Sequence, residues 1–126
     1  MSEPKHKRVF ICYARSEATY AHALRRALEQ LRVEVYTDQS VSVGEEFAPS
    51  LRDAVAESDV LVALMSPQFF RSKWCQMELS TALSNDKRII PVLLNGEITG
   101  PLSYLEYVES EDGLPAIVAE IGRSLR

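Results

Sequence analysis

Six consecutive apolar residues, Val60-Leu61-Val62-Ala63-Leu64-Met65, constrain this chain more than any other feature. A strand with one wet face alternates apolar and polar side chains, whereas a run with no polar member is covered on both faces. Asp59 precedes the run and Ser66-Pro67 stops it. The shorter run Val9-Phe10-Ile11-Cys12-Tyr13-Ala14 has the same character. Strands of this kind belong to parallel sheets, and parallel neighbours need a crossover that is usually a helix.

The crossovers are visible as changes of period. Tyr20, Leu24, Ala27, Leu28 and Leu31 recur at helical spacing, with Arg25, Arg26, Glu29 and Gln30 on the wet face. Ser16 stands where an N-cap would. Val33 to Thr37 reads as a second strand. A polar loop from Asp38 to Pro49, carrying Gly44, then leads to a short helix from Ser50 to Ala56. Beyond the central strand, Phe69 to Lys73 reads as a connector and Trp74 to Leu83 as a helix. Arg88 to Leu94 is the next strand. Pro91 cannot donate to a ladder, so that strand lies near the edge or is bulged there. Tyr104 to Val108 reads as a fifth strand, and Leu114, Ile117, Val118, Ile121 and Leu125 share the face of a closing helix. The expectation is a parallel sheet with helices on both faces. It spans 9–126, with residues 1–8 as a polar, basic tail.

Composition narrows the function classes. A chain of 126 residues fits one domain. With 46% hydrophobic and 25% charged residues, it is not a disordered chain. The net charge of -4 argues against nucleic acid as the main partner. No apolar run is long enough for a signal peptide core or a membrane span, which makes the cytoplasm the expected location. Two cysteines, Cys12 and Cys75, with His6 and His22 far from either in sequence, supply neither a disulfide framework nor a metal site. Both thiols are expected reduced and in packing roles.

Parallel sheets bind ligands outside the carboxyl ends of their strands, near the point where strand order reverses. The loops that matter are therefore Tyr13 to Glu17, Asp38 to Phe47 and Ser66 to Glu78. They hold no phosphate loop, no dinucleotide fingerprint and no nucleophile elbow. Phe10-Ile11-Cys12-Tyr13 and Met65-Ser66 lack the acidic residues of a phosphoacceptor site. What remains is Ser72-Lys73-Trp74-Cys75-Gln76-Met77-Glu78. Trp74 and Glu78 are four residues apart and share one helix face. An aromatic plane beside a carboxylate suits a nucleoside: the ring packs base or ribose, and the carboxylate accepts ribose hydroxyls. The plainer alternative makes Trp74 core and Glu78 a solvated helix residue.

Four segments, in order, resemble the Toll/interleukin-1 receptor (TIR) domain. Phe10 to Ala14 with Arg15-Ser16-Glu17 is similar to its first box. Asp38 followed by Gly44-Glu45-Glu46-Phe47 is similar to the end of its second strand and its BB loop. Ser66 to Leu79 is similar to its most recognisable segment, and Ile89-Ile90-Pro91-Val92 to the strand after it. Cys12 stands where a Ser is common in the family. The resemblance implies a flavodoxin-like α/β fold, a three-layer sandwich around a five-stranded parallel sheet. It further implies one of two functions. One is hydrolysis of NAD+ to nicotinamide and linear or cyclic ADP-ribose, activated by self-association, in immune or antiviral defence. The other is a non-enzymatic adaptor binding other TIR domains through the BB loop, about Asp38 to Pro49. In the enzymatic, bacterial-type branch the catalytic carboxylate falls on Glu78. NAD+ is then substrate, no cofactor or metal is called for, and a sensor domain in a longer parent protein is an expected companion. Tyr13, Arg15, Asp38, Phe47, Ser66 and Trp74 are the candidate substrate contacts. Arg15 would meet the pyrophosphate or be a surface charge. Asp38 would reach the ribose or cap a turn. Phe47 would cover the nicotinamide or anchor its loop, and Ser66 would contact substrate or end the strand.

Overall fold

The computed structural model describes residues 7–37, 47–96, 102 and 105–125, with the backbone alone at 47–51. Five strands form one sheet: β1 Arg8–Cys12, β2 Glu34–Tyr36, β3 Val60–Met65, β4 Arg88–Leu93 and β5 Val108–Glu109. Every pairing is parallel, and the order is β2-β1-β3-β4-β5. This is the flavodoxin-like α/β arrangement. The helices are α1 Ala18–Glu29, α2 Phe47–Glu57, α3 Pro67–Arg71, α4 Lys73–Ser84 and α5 Leu114–Ser124.

The apolar run over 60–65 is the middle strand, and all six of its residues are buried. Because successive side chains of a strand point to opposite faces, the sheet divides its residues between two cores. Val9 and Ile11 of β1, with Val60, Val62 and Leu64 of β3, pack against Leu24 and Leu28 of α1 and Ile117 and Ile121 of α5. Phe10, Cys12, Leu61, Ala63 and Met65 face the other way, onto Val55 of α2, Phe69 of α3, and Cys75, Leu79 and Ala82 of α4. Each large aliphatic side chain so buried contributes about 1.5–3 kcal/mol relative to exposure.

Several boundaries differ from the sequence reading, each for a local reason. Ser16 is not a cap: it lies inside a 3-10 turn, Arg15–Glu17, its hydroxyl donating to Glu17 Oε1 at 3.3 Å, and α1 starts at Ala18 without a side-chain cap. Leu31 is 56% exposed, because the chain leaves the helix at Gln30 and Arg32 turns it with φ +61°. The expected connector from Phe69 is helical to Arg71, since Ser66 caps it and Pro67 suits its first position. Helix α2 begins at Phe47 rather than Ser50, with Pro49 inside its first turn. The fifth strand is later and shorter than expected. The Leu105 N–H returns to the Leu102 carbonyl in a turn, and pairing starts only at Val108. Strand β4 stands next to the edge, where Pro91 pairs with Ala63 of β3 one step before the β5 ladder begins at Val92. Among the described residues, no helix is long and apolar enough to cross a membrane.

Candidate functional site

Strand order reverses between β1 and β3, since β2 follows β1 on one side and β4 follows β3 on the other. The carboxyl end of β3 runs straight into a doubly capped segment. Ser66 is fully buried, and its Oγ accepts the Phe69 N–H at 3.2 Å. Six residues on, Ser72 Oγ accepts the Cys75 N–H at 3.1 Å and so starts α4. The Gln76 side-chain amide donates to the Phe69 carbonyl at 3.2 Å, tying the short helix to the long one. The loop after β4 closes on the same corner. Leu94 N–H donates to the Met65 carbonyl at 2.9 Å, and Gly96 has φ +81°. The positive φ favours glycine there, and a Cβ at Gly96 would also stand a tight 3.2 Å from the Pro67 ring.

This corner aims the two residues the sequence singled out, and it separates them. Glu78 is 3% exposed, whereas Trp74 is 47% exposed. The plainer alternative, with Trp74 in the core and Glu78 in solvent, is thus inverted. The buried residues of α4 are Cys75, Glu78, Leu79 and Ala82, so Glu78 falls within the buried stripe, whereas Trp74, in the same turn as the buried Cys75, falls at its exposed flank.

Glu78 shares its burial with two thiols. Cys12 ends β1, Cys75 lies three residues before Glu78 on α4, and both are free and buried. The Cys12 thiol donates to the Cys75 carbonyl oxygen at 3.6 Å. Burial first, then hydrogen bonding to Cys75 and the negative charge of Glu78, push the Cys12 thiol well above its ordinary value, so it stays protonated. Sequence reading gave these thiols packing roles alone. Two signals pointed further. Cys75 and Glu78 are three apart on one helix, and Cys12 alternates with Phe10 onto the α4 face.

The other candidates fall in different places. Arg15 is exposed in the turn after β1. Tyr13 is buried in the α1/α5 core, on the opposite face of the sheet from Cys12. Asp38 and the loop through Glu46 lie outside the described residues, as does the side chain of Phe47 at the start of α2. Thr37, the last described residue after β2, is buried. The structure therefore gathers Cys12, Cys75 and Glu78, with Ser66 and Trp74 on the same segment, and does not bring Tyr13 to them. Among the described residues, no three His, Cys, Asp or Glu side chains group as metal ligands would.

Known proteins resemble this chain in sequence or fold. The NAD(+) hydrolase TcpA of Theionarchaea archaeon (strain DG-70-1) is 28% identical over 130 residues, covering 94% of this chain. The chain spans 40% of that relative's length. The TIR domain of the Toll-related receptor TRR-2 from Hydra magnipapillata superposes with a TM-score of 0.82 at 28% identity, covering 94% of this chain and 97% of the other. The Clostridium botulinum CMP N-glycosidase BcmB shares the fold, with a TM-score of 0.65 at 21% identity over 92% of this chain and 99% of its own. The family model of the TIR domain matches residues 9–120, nearly the whole of the sheet and its helices, and the chain belongs to the TIR domain family.

Proposed function

We propose that this TIR domain is an NAD+ glycohydrolase in which Glu78 is the catalytic carboxylate. The observation that carries the reading is the burial of Glu78 on α4, beside the β1–β3 reversal, one turn below an exposed tryptophan. An acidic side chain is almost never fully buried unless it is paired, so its environment holds it in place rather than leaving it to solvent. A buried charge also acts through a lower dielectric than a surface one. The relative TcpA carries the name NAD(+) hydrolase, which supports the same reading.

One carboxylate suffices for this chemistry. Ordinary glycosidases need a second carboxyl group to protonate a poor leaving group. In NAD+ the nicotinamide is already a cationic pyridinium. When the bond from its nitrogen to the ribose C1′ breaks, the electron pair goes to that nitrogen and nicotinamide departs neutral. Positive charge is left on the ribose as an oxocarbenium-like centre, where water adds and loses a proton. Glu78 accepts the ribose hydroxyls and places negative charge beside the developing cation. Trp74 offers its exposed ring to the ribose or base, Arg15 its guanidinium to the pyrophosphate. Asp38 and Phe47 are further contacts in this reading, while the fully buried Ser66 caps α3 and Tyr13 lies behind the strand end. A second TIR domain, docked through the loop from Asp38, orders the site and raises turnover, a behaviour suited to a defence effector.

The test is incubation with NAD+ over a wide range of protein concentration, following free nicotinamide. Release whose rate per molecule climbs with concentration is the expected result. A flat, high rate in a proven monomer would remove the self-association step. No release at any concentration would favour the scaffold reading, which the likeness to a receptor TIR domain keeps in view.

A further inference from the structure

The α1/α5 side of the molecule carries apolar surface that the core does not use. Leu31, just past α1, and Leu105 and Tyr107, before β5, are three of the five large apolar side chains exposed among the described residues. Leu31 borders an apolar groove of about 540 Å³ between α1 and α5, walled by Ala27, Leu114, Val118 and Ala119. Among the described residues, Arg123 is the one charged side chain lining it, and Arg26 and Arg32 stand exposed on its α1 side. The neighbouring carboxylates are engaged, Glu29 with Arg25 and Glu120 with Arg123. The groove is thus apolar within and basic at its rim.

The other two exposed residues lie across α5. Tyr107 and Glu106 line a hollow together with Glu120 and Ser124, on the flank of α5 opposite the groove. Leu105, Glu106 and Tyr107 are all exposed, an acidic residue between two apolar ones. Held between the Leu102 turn and the β5 ladder, with α5 in the way, this segment does not reach the groove of its own chain.

We propose that the α1/α5 groove receives the Leu105–Tyr107 segment of a second copy of this chain. Leu105 and Tyr107 leave water for the groove, and Glu106 meets the arginine rim. The fit is of charge as well as of apolar surface: copies of net charge -4 repel at a distance, so an oriented contact needs opposite charges at the contact itself. Tyrosine is among the residues that most often anchor such interfaces. The two surfaces differ, so the contact is head-to-tail. Each added copy leaves one groove and one segment open, and the assembly grows past a pair. The contact is separate from the loop at Asp38 and does not rest on the NAD+ reading, although a file of copies supplies the clustering which that reading calls for.

The experiment measures self-association of the full chain by sedimentation over a wide range of concentration, for wild type, Tyr107→Ser and Ala119→Arg. Both positions are exposed, so neither change enters the core. Wild-type mass should rise with concentration past that of a dimer. Each variant should associate at least about tenfold more weakly, as when a central anchor is lost from an interface. A second measurement identifies the contact itself. Chains carrying Tyr107→Cys and chains carrying Ala119→Cys, treated with a short bismaleimide, should cross-link when mixed and not when either is alone; the native Cys12 and Cys75 are buried. A wild type that stays monomeric overturns the proposal, as does association that both variants retain in full, which would place it on another surface. Cross-linking of Tyr107→Cys chains to one another overturns it too, in favour of a symmetric pair of edges. Neither measurement reads turnover, so a chain that releases no nicotinamide removes the NAD+ reading and leaves this test intact.

Discussion

The two faces of the sheet are built from the same strands but to different purposes. On the α1/α5 face, β1 and β3 present Val9, Ile11, Val60, Val62 and Leu64 to leucines and isoleucines of the helices, and the layer is aliphatic apart from Tyr13 and Tyr20. On the α2–α4 face, the intervening residues include Cys12, and the helices answer with Cys75 and the buried Glu78. The strand that contributes Ile11 to one layer thus contributes a thiol to the other, one residue later. The lesson is that the aliphatic face anchors the sheet and leaves the other face room for groups that cost stability. Buried polar groups of that kind persist where a function retains them.

The contrast can be broken most sharply at Glu78. Glu78→Gln keeps the shape and removes the charge, so turnover should drop by about 10²-fold or more, as when a key electrostatic group is lost from an active site. Its melting temperature should change little, because shape and volume are kept. Nicotinamide release and a thermal melt on the same preparation check both halves.

Leu24→Ala, on the aliphatic face, should do the reverse. Leu24 is fully buried in the α1/α5 core. Its truncation should cost about 2–5 kcal/mol of stability, read by denaturant unfolding, with activity per folded molecule unchanged. Loss of activity in the folded fraction would mean that the faces are coupled.

Trp74→Ala sharpens the comparison at the rim. The ring is about half exposed, so its removal should cost roughly half the 3–5 kcal/mol of a fully buried aromatic. Activity should fall by more than that stability loss explains. An activity equal to wild type in the folded variant would leave the tryptophan no part in the site.

Gly96→Ala is the smallest of these effects. It forces a side chain into a left-handed conformation and against the Pro67 ring, at a cost of about 1–2 kcal/mol. A loss of that size by denaturant unfolding, with little change at Leu24-type core probes, would place the strain at the site's corner.

The sheet was legible because its signals are physical and local. An unbroken apolar run such as Val60–Met65 has few places to go, and the helical stripe of α5 closes the domain as its spacing requires. What was not legible depended on where a helix begins in space. Helical spacing puts Trp74 and Glu78 side by side, but which of them is covered follows from how α4 docks, with Cys75, Glu78, Leu79 and Ala82 as its buried stripe. The thiols were read as reduced packing residues, and both are free and buried in the α2–α4 core; only the packing of α4 on β1 shows that Cys12 meets the segment carrying Glu78. Val108–Glu109 was misplaced because a two-residue edge strand carries almost no pattern to read.

The pairing of β1 has a consequence for how the chain is made. Arg8, at the start of β1, bonds Glu34 across 26 residues and Asp59 across 51, and Cys12 meets Cys75 across 63. With every ladder parallel, no strand zips onto a sequence neighbour as a hairpin does. Loop closure must precede each reward, which slows folding relative to locally wired chains. On a ribosome adding roughly 5–20 residues per second, the first strand waits several seconds for its central partner. The buried surroundings of Glu78 come later still, when α4 has emerged and docked. Nascent chains should therefore acquire the sheet's middle before they acquire any chemistry, and a stall after β3 would leave Phe10 and Met65 uncovered to whatever chaperone is near.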